Sequence, residues 1–463
     1  MDATDLAFAG ATTQARLIAS GEVSAREVAQ ATLDRIASVD GRLNAYRVVL
    51  ADRALAEADE ADARRRAGDV RPLLGVPVAI KDDTDVAGEA TAMGTVALAG
   101  RRCEQDAEVV RRLRAAGAVI VGKTNVPELL MWPFSETTSF GAARNPWNLG
   151  YTPGGSSGGS GAAVAAGLCG IALGSDGAGS IRIPAAFCGI FGIKPQRGRI
   201  PLAPGASDGW HGLAHHGPLA RSVADAALFL DAVSDDVPPG GFARSAALAV
   251  PARMRIAVST ALPPGVVAHL GAEQRGAVEA TADLLRSLGH EVVEREIDYP
   301  PSGAANVLAR YFRGIRDQAG AVPDPSLLEP RTRAMARLGA PLGPRAMARV
   351  RAGERALAAR VDSVLSTADA ILLPGPSGPP FRIGAMQGRG AMWTVNASIA
   401  KVPWYGAFNA TGHPACSVPA GFDAEGLPLA VQLAGRRSDE ATLLALAAQI
   451  EQARPWADRR PQL

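Results

Sequence analysis

Short apolar runs rich in valine, isoleucine and leucine recur along this chain, each separated from the next by a longer stretch whose apolar positions fall at helical spacing. VPVAI (76–80), AVIVG (118–122), LCGIAL (168–173), MRIAVS (254–259) and AILLPG (370–375) have the length and composition of buried strands, and HEVVERE (290–296) reads as a further strand. Between them the pattern predicts helices. Ser24 with Glu27 forms a capping box and Val23 with Val28 a hydrophobic staple, opening a helix that runs through Ile36. A charged helix over about residues 51–67 stops at Gly68. Residues 106–118 form an amphipathic helix ended by Gly117, which makes a β-α-β unit with its flanking strands. GPLARSVADAALFLDAV (217–233) and residues 271–289 read as helices, and 300–365 as a helical, arginine-rich stretch broken by Pro and Gly. Residues 376–402 read as a loop. The C-terminal stretch reads as a strand, a turn at Asp423–Gly426, a second strand and a closing helix.

Strands alternating with helices indicate an α/β fold, a large mixed central β-sheet covered on both faces by helices. With no repeat, no low-complexity linker and no shift in composition, one domain is expected over residues 1–463, with 1–70 as a helical N-terminal part packed on it.

Charge and cysteine content narrow the partners. The 48 basic residues nearly balance the 46 acidic ones, for a net charge of +2, and no like-charge run stands out. That points away from nucleic acid and anionic membranes and toward a small molecule. Cys103, Cys169, Cys188 and Cys416 lack metal-ligand spacing, so no metal and no disulfide framework are expected. No basic-then-apolar leader opens the chain, and no apolar run reaches the ~18–20 residues of a membrane span, so a cytoplasmic protein is expected.

The densest chemistry lies between Gly154 and Pro195. A glycine–serine loop, GGSSGGSG, enters a small-residue helix, AAVAAG; an apolar strand follows, then a second glycine turn, GSDGAGSIR. Ser156 and Ser180 thus sit on two tight turns flanking one helix and one strand, where glycines let backbone N–H groups and side chains point into a shared space. A linker would not be followed by buried apolar segments, and a phosphate loop would end in GK[ST], whereas this one continues SGAAV. The reading left is a nucleophile turn with an oxyanion site. Lysine is scarce: Lys81, Lys123, Lys194 and Lys401 are all there are. Burial lowers a lysine pKa, so these are candidates for proton chemistry. Lys81 ends the VPVAI strand, with Asp82 expected on the opposite face. Lys123 reads as a turn-bonding residue. No G-x-S-x-G elbow encloses either serine, the pair His215–His216 reads at most as pocket wall, and Cys188 as a small buried hydrophobe.

These segments resemble the signature blocks of the amidase signature family of serine hydrolases. The likeness rests on the two glycine–serine turns followed by SIRIP and AFCGIFGIKP, on GVPVAIKD upstream, and on the C-terminal block; it covers about residues 20–235 and 366–455. It implies the same layered fold, in which the variable segment 236–365 helps roof the site. It also implies a catalytic set of Lys81, Ser156 and Ser180, an oxyanion turn of Gly177, Ala178 and Gly179, a cis Gly155–Ser156 peptide, and no cofactor. The turn departs from the family's usual D-T-G-G-S or D-I-G-G-S in reading DGAGS. Asp176 and Arg182 are retained as its supports. Met131, Trp132, Trp210 and Trp393 are the expected pocket residues, with Phe134, Tyr311, Met392 and Trp404 as further apolar candidates. They favour an aryl or medium-chain acyl amide, with esters and carbamates (urethanes) left open. KDD in place of the KDN of tRNA-linked glutamine amidases favours a free-standing enzyme, monomer or homodimer. A glutamine amidase subunit of a tRNA-dependent amidotransferase and a catalytically silent binding protein are the alternatives.

Overall fold

The computed structural model describes residues 2–202, 209–247 and 253–463. In chain order its strands are β1 (Tyr46–Val49), β2 (Pro77–Lys81), β3 (Val119–Thr124), β4 (Glu136–Thr137), β5 (Gly141–Ala142), β6 (Ile171–Asp176), β7 (Phe191–Lys194), β8 (His215–Ala220), β9 (Arg255–Val258), β10 (Glu291–Glu294), β11 (Ala370–Pro374), β12 (Ala415–Phe422) and β13 (Pro428–Gly435). β4 and β5 form a small separate hairpin. The others form one eleven-stranded sheet in the order β1-β3-β2-β6-β8-β7-β12-β13-β11-β9-β10. It is mixed: β2 runs parallel to both β3 and β6, while β8 lies antiparallel between β6 and β7.

Both faces of the sheet are covered, and the strand alternation decides what each side chain meets. Val78 and Ile80 enter one apolar core, with the helices Val223–Val233 and Glu440–Ala453. Ala79 enters the other, with Ala25–Leu43 and Gly158–Ala165. Lys81, two residues beyond Ala79, therefore leaves β2 on the side of the helix that follows the glycine–serine loop.

The N-terminal helices are Ala3–Phe8, Gly10–Ser20, Ala25–Leu43 and Ala51–Arg66. The Ser24–Glu27 capping box is present in both directions, at 2.7 and 3.1 Å, and its helix continues to Leu43. Several stretches differ from the sequence reading, among them β1, an edge strand inside the 1–70 part read as helical. GPLA is the end of β8; the helix there starts only at Val223, where Ser222 accepts the Asp225 N–H. The stretch 376–402 contains the helix Ala391–Lys401, whose start is hidden behind the Gly-rich GRG. The helix Gly406–Thr411 precedes β12. Among the described residues no helix is long and apolar enough to cross a membrane.

Candidate active site

The first glycine turn is fixed by close approach. The Gly155–Ser156 peptide is cis. A Cβ on Gly155 would run into the Trp132 carbonyl oxygen and come within 2.7 Å of the Phe134 nitrogen, so no larger residue fits. Ser157 then ties this turn to the second: its N–H donates to the Ser180 carbonyl at 3.2 Å and its hydroxyl to the Ser175 carbonyl at 3.2 Å.

The second turn, at the end of β6, is built on a buried ion pair. Arg182 donates from Nε and Nη2 to the two carboxylate oxygens of Asp176, each at 3.0 Å, with both side chains fully buried. Arg182 also reaches Asn409 Oδ1 at 2.6 Å and the Gln432 side-chain oxygen. Asp176 in turn accepts the N–H of Gly179 at 2.6 Å and of Ile181 at 3.2 Å, clamping the turn from inside. Burial would push this carboxyl up, but the Arg182 guanidinium and the Asn409 amide hold it well below the usual carboxylate range. Gly179 has φ +118°, and a Cβ there would meet Ile183 and Tyr405 at 2.7 and 2.8 Å. Its N–H, read from sequence as an oxyanion donor, is engaged here by Asp176 Oδ1. Among the described residues no hydrogen bond engages the N–H groups of Gly177, Ala178 or Ser180.

Lys81 reaches both turns. Its Nζ lies 2.7 Å from Ser156 Oγ, 2.8 Å from Ser175 Oγ and 3.2 Å from the Ser175 carbonyl. Asp83 stands 3.5 Å away. Burial depresses the Lys81 pKa below the ordinary lysine value, although Asp83 and Asp176 pull it back up. Asp82 faces the other way, as strand alternation requires. It accepts from Arg47 at 2.5 and 2.9 Å and pairs with Lys123 at 3.0 Å. Lys123 also donates to the Ala90 carbonyl and Thr91 hydroxyl, a structural position away from the serines.

Ser156, Ser180, Gly177 and Ala178 open into a cavity of about 320 Å³. Met131, Trp132, Trp210 and Tyr311 lie on its wall. Trp393 does not. It is 48% exposed with Arg389 stacked on its ring at 4.7 Å, and Met392 is exposed beside it. The helix Ala391–Lys401 turns Val395, Ser398 and Ile399 inward instead, at a spacing a loop reading could not show. Phe134 and Trp404 are buried behind the wall, Trp404 donating its Nε1 to the Thr260 carbonyl. Asp83 and Ser175, polar cavity residues beside Lys81, are not evident from sequence, whereas His216, read there as pocket wall, lies on the wall. The first two stand in legible positions, Asp83 in KDD and Ser175 just before Asp176, but their meeting with Lys81 depends on β2 and β6 being neighbours. His215 and His216 are buried, burial pushes both imidazoles down, and neither hydrogen-bonds to Ser156 or Ser180. Cys188 is buried too, its thiol pushed up by burial. Among the described residues no group of three or more His, Cys, Asp or Glu is placed to hold a metal ion.

Comparison with known proteins agrees with this fold. The sequence model of the family named Amidase matches residues 27–444. The chain is similar to AmiB2 of Mycobacterium tuberculosis, which carries a provisional amidase name, at 56% identity over 464 residues and the full length of both. A solved structure of 6-aminohexanoate cyclic dimer hydrolase with substrate superposes with a TM-score of 0.86 at 33% identity, covering 98% of this chain and 99% of that one. A bacterial aryl acylamidase structure superposes with a TM-score of 0.85 at 26% identity, covering 97% and 96%.

Proposed function

The chain belongs to the amidase signature family, and from that premise we propose that it cleaves carboxylic amides through an acyl ester on Ser180, with Ser156 as proton relay and Lys81 as base. It is an amidohydrolase acting on small amide substrates. The observation that carries the mechanism is the 2.7 Å contact between buried Lys81 and Ser156 at the edge of the cavity that Ser180 lines.

In the first step Lys81 Nζ takes the Ser156 proton while Ser156 takes that of Ser180, and Ser180 Oγ bonds to the substrate carbonyl carbon. The C=O π pair moves onto oxygen, where the N–H groups of Gly177, Ala178 and Ser180 are the available donors. Collapse breaks the C–N bond, and Ser156 hands its proton to the departing amine and is reprotonated by Lys81. Water, deprotonated along the same path, then releases the acid from Ser180.

An aryl or medium-chain acyl amide is the substrate class this cavity favours, with ester and carbamate cleavage as lesser activities. Support comes from its apolar wall, from a volume at the low end of small-molecule sites, and from the aryl acylamidase likeness. Trp210 is the wall's most built feature. A Cβ on Gly177 would lie 3.4 Å from the Trp210 ring, and one on Gly314 3.0 Å, so two glycines seat this indole, with Tyr311 packed edge-on at 5.4 Å. The whole chain acts as one amidase domain in this reading. Residues 1–70 buttress the sheet, and 236–365 roof the cavity through Val307 and Tyr311. The enzyme works in the cytoplasm as a monomer or homodimer. The test is nitroaniline release from 4-nitroacetanilide by wild type, Ser180→Ala and Lys81→Ala. Turnover lost in both variants supports the reading. A folded wild type that ignores anilides and hydrolyses glutamine would replace the substrate class.

A further inference from the structure

The Ser180–Ser156–Lys81 relay needs a lysine that is neutral and correctly turned. A neutral amine carries two N–H bonds and one lone pair, and only the lone pair can receive the Ser156 proton. Three oxygens surround Nζ, so something must decide which of them the lone pair faces.

Asp83 supplies that decision. It stands two residues beyond Lys81 on the loop leaving β2, and its side chain is 5% exposed. One carboxylate oxygen accepts the Thr84 hydroxyl at 2.9 Å, and the other accepts the Ser175 hydroxyl while lying 3.5 Å from Lys81 Nζ. A serine hydroxyl has a single proton. With that proton on Asp83, Ser175 Oγ can only accept from Lys81, at 2.8 Å. The Ser175 carbonyl, at 3.2 Å, can also only accept. Both hydrogens of the neutral amine are thereby claimed, and the lone pair is left for Ser156 at 2.7 Å. Once the proton arrives, the ammonium donates to all three oxygens and has a carboxylate beside it.

We propose that Asp83 is a positioning residue of the reaction: through the Ser175 hydroxyl it turns the lone pair of Lys81 onto Ser156, and it supplies the counter-charge when Lys81 takes the proton. This rests on the mechanism proposed above. The other charged and titratable groups facing the site do not replace it. Asp176, from the end of β6, is bound by Arg182. His216, from β8, is held toward its neutral form by burial. Asp82 faces Arg47 and Lys123. Lys81 itself is pulled up by Asp83 against its burial, so loss of the carboxylate has two separable effects.

The experiment is the pH profile of kcat/KM for anilide hydrolysis in wild type, Asp83→Asn, Ser175→Ala and Ser175→Thr, with Lys81→Ala and Ser180→Ala alongside. In Asp83→Asn the acid limb moves to lower pH by about 1–3 units, because an opposite charge next to the lysine is gone. Its plateau kcat falls about 10- to 100-fold as the amide NH2 donates to Ser175 Oγ, freeing the Ser175 proton to engage the Lys81 lone pair, which loses its direction. KM stays near wild type. Ser175→Thr, which keeps the hydroxyl, retains activity, and Ser175→Ala loses it. An acid limb that stays in place in folded Asp83→Asn overturns the proposal. If that variant does not fold, equal activity in Ser175→Ala and Ser175→Thr overturns it. Activity surviving in Lys81→Ala or Ser180→Ala would instead remove the underlying mechanism, whereas inactive controls beside an unmoved acid limb strike only the role of Asp83.

Discussion

Replacing Arg182 by methionine tests whether the second turn is held in the way described. Methionine approximates the length and bulk of the arginine stem and removes the guanidinium, leaving the Asp176 carboxylate fully buried without its bidentate partner. Stranding one member of a buried pair costs about 3–5 kcal/mol, more than the pair contributes relative to an apolar replacement of both. The same change releases Asn409 and Gln432 from their shared donor. Because Asp176 orients the Gly179 and Ile181 amides, the turn that carries Ser180 loosens with it. The expected outcome is a lower urea midpoint, corresponding to about 3–5 kcal/mol, and a fall in kcat at temperatures where the variant is still folded. Arg182→Lys keeps the charge but not the planar fork, and falls in between. Tryptophan fluorescence against urea, with anilide turnover on the same samples, reads both effects. An Arg182→Met enzyme within about 1 kcal/mol of wild type would refute the reasoning, since surface-like substitutions already span that range.

Other consequences are more local. Gly179→Ala places a Cβ against Ile183 and Tyr405 at a φ that L-residues avoid, so activity should collapse with a stability loss of about 1–3 kcal/mol; retention of wild-type kcat in a melted-and-refolded sample would contradict the geometry. Trp210→Ala should shift acyl preference toward bulkier groups, whereas Trp393→Ala, on the outer face, should leave kcat/KM within about twofold, as surface changes usually do; a panel of anilides of increasing acyl size separates the two. Activity should rise with pH along a limb set by Lys81, which must lose its proton to act, and burial puts that limb below the ordinary lysine value; Lys81→Ala should abolish the limb together with turnover. Asp176 has a folded pKa depressed below its unfolded value of about 3.9. Its stabilising contribution is therefore fully present above that value and drains away as pH falls toward the folded one, so Asp176→Asn, less stable at neutral pH, should lose less of its stability on acidification below about pH 4.

Much of the scaffold was legible because it rests on local rules. The VPVAI run placed Lys81 at a strand end, and period-two alternation put Asp82 on the other face. The glycine turns marked Ser156 and Ser180 because only glycine tolerates the Gly155 approach and the Gly179 dihedral. What stayed hidden is long-range. Lys81 meets Ser175 across 94 positions, and Arg182 meets Gln432 across 250, contacts that exist only once the strand order is known. Trp393 falls outside the cavity for a different reason: aromatic character says nothing about helix phase, and the glycines before Ala391 conceal the helix there. GPLA reads as part of the following helix because only Arg221 and Ser222 separate the apolar strand end from the apolar helix, and the Ser222–Asp225 cap that divides them is a single side-chain contact.

The most direct measurement is peptide-level mass analysis of the enzyme quenched during turnover of 4-nitroacetanilide. An acetyl group on the peptide carrying Ser180, absent from the Ser180→Ala enzyme and absent without substrate, is the predicted result. Steady nitroaniline release with no acetyl adduct on Ser180 in any quench, and with turnover preserved in Ser180→Ala, would contradict it.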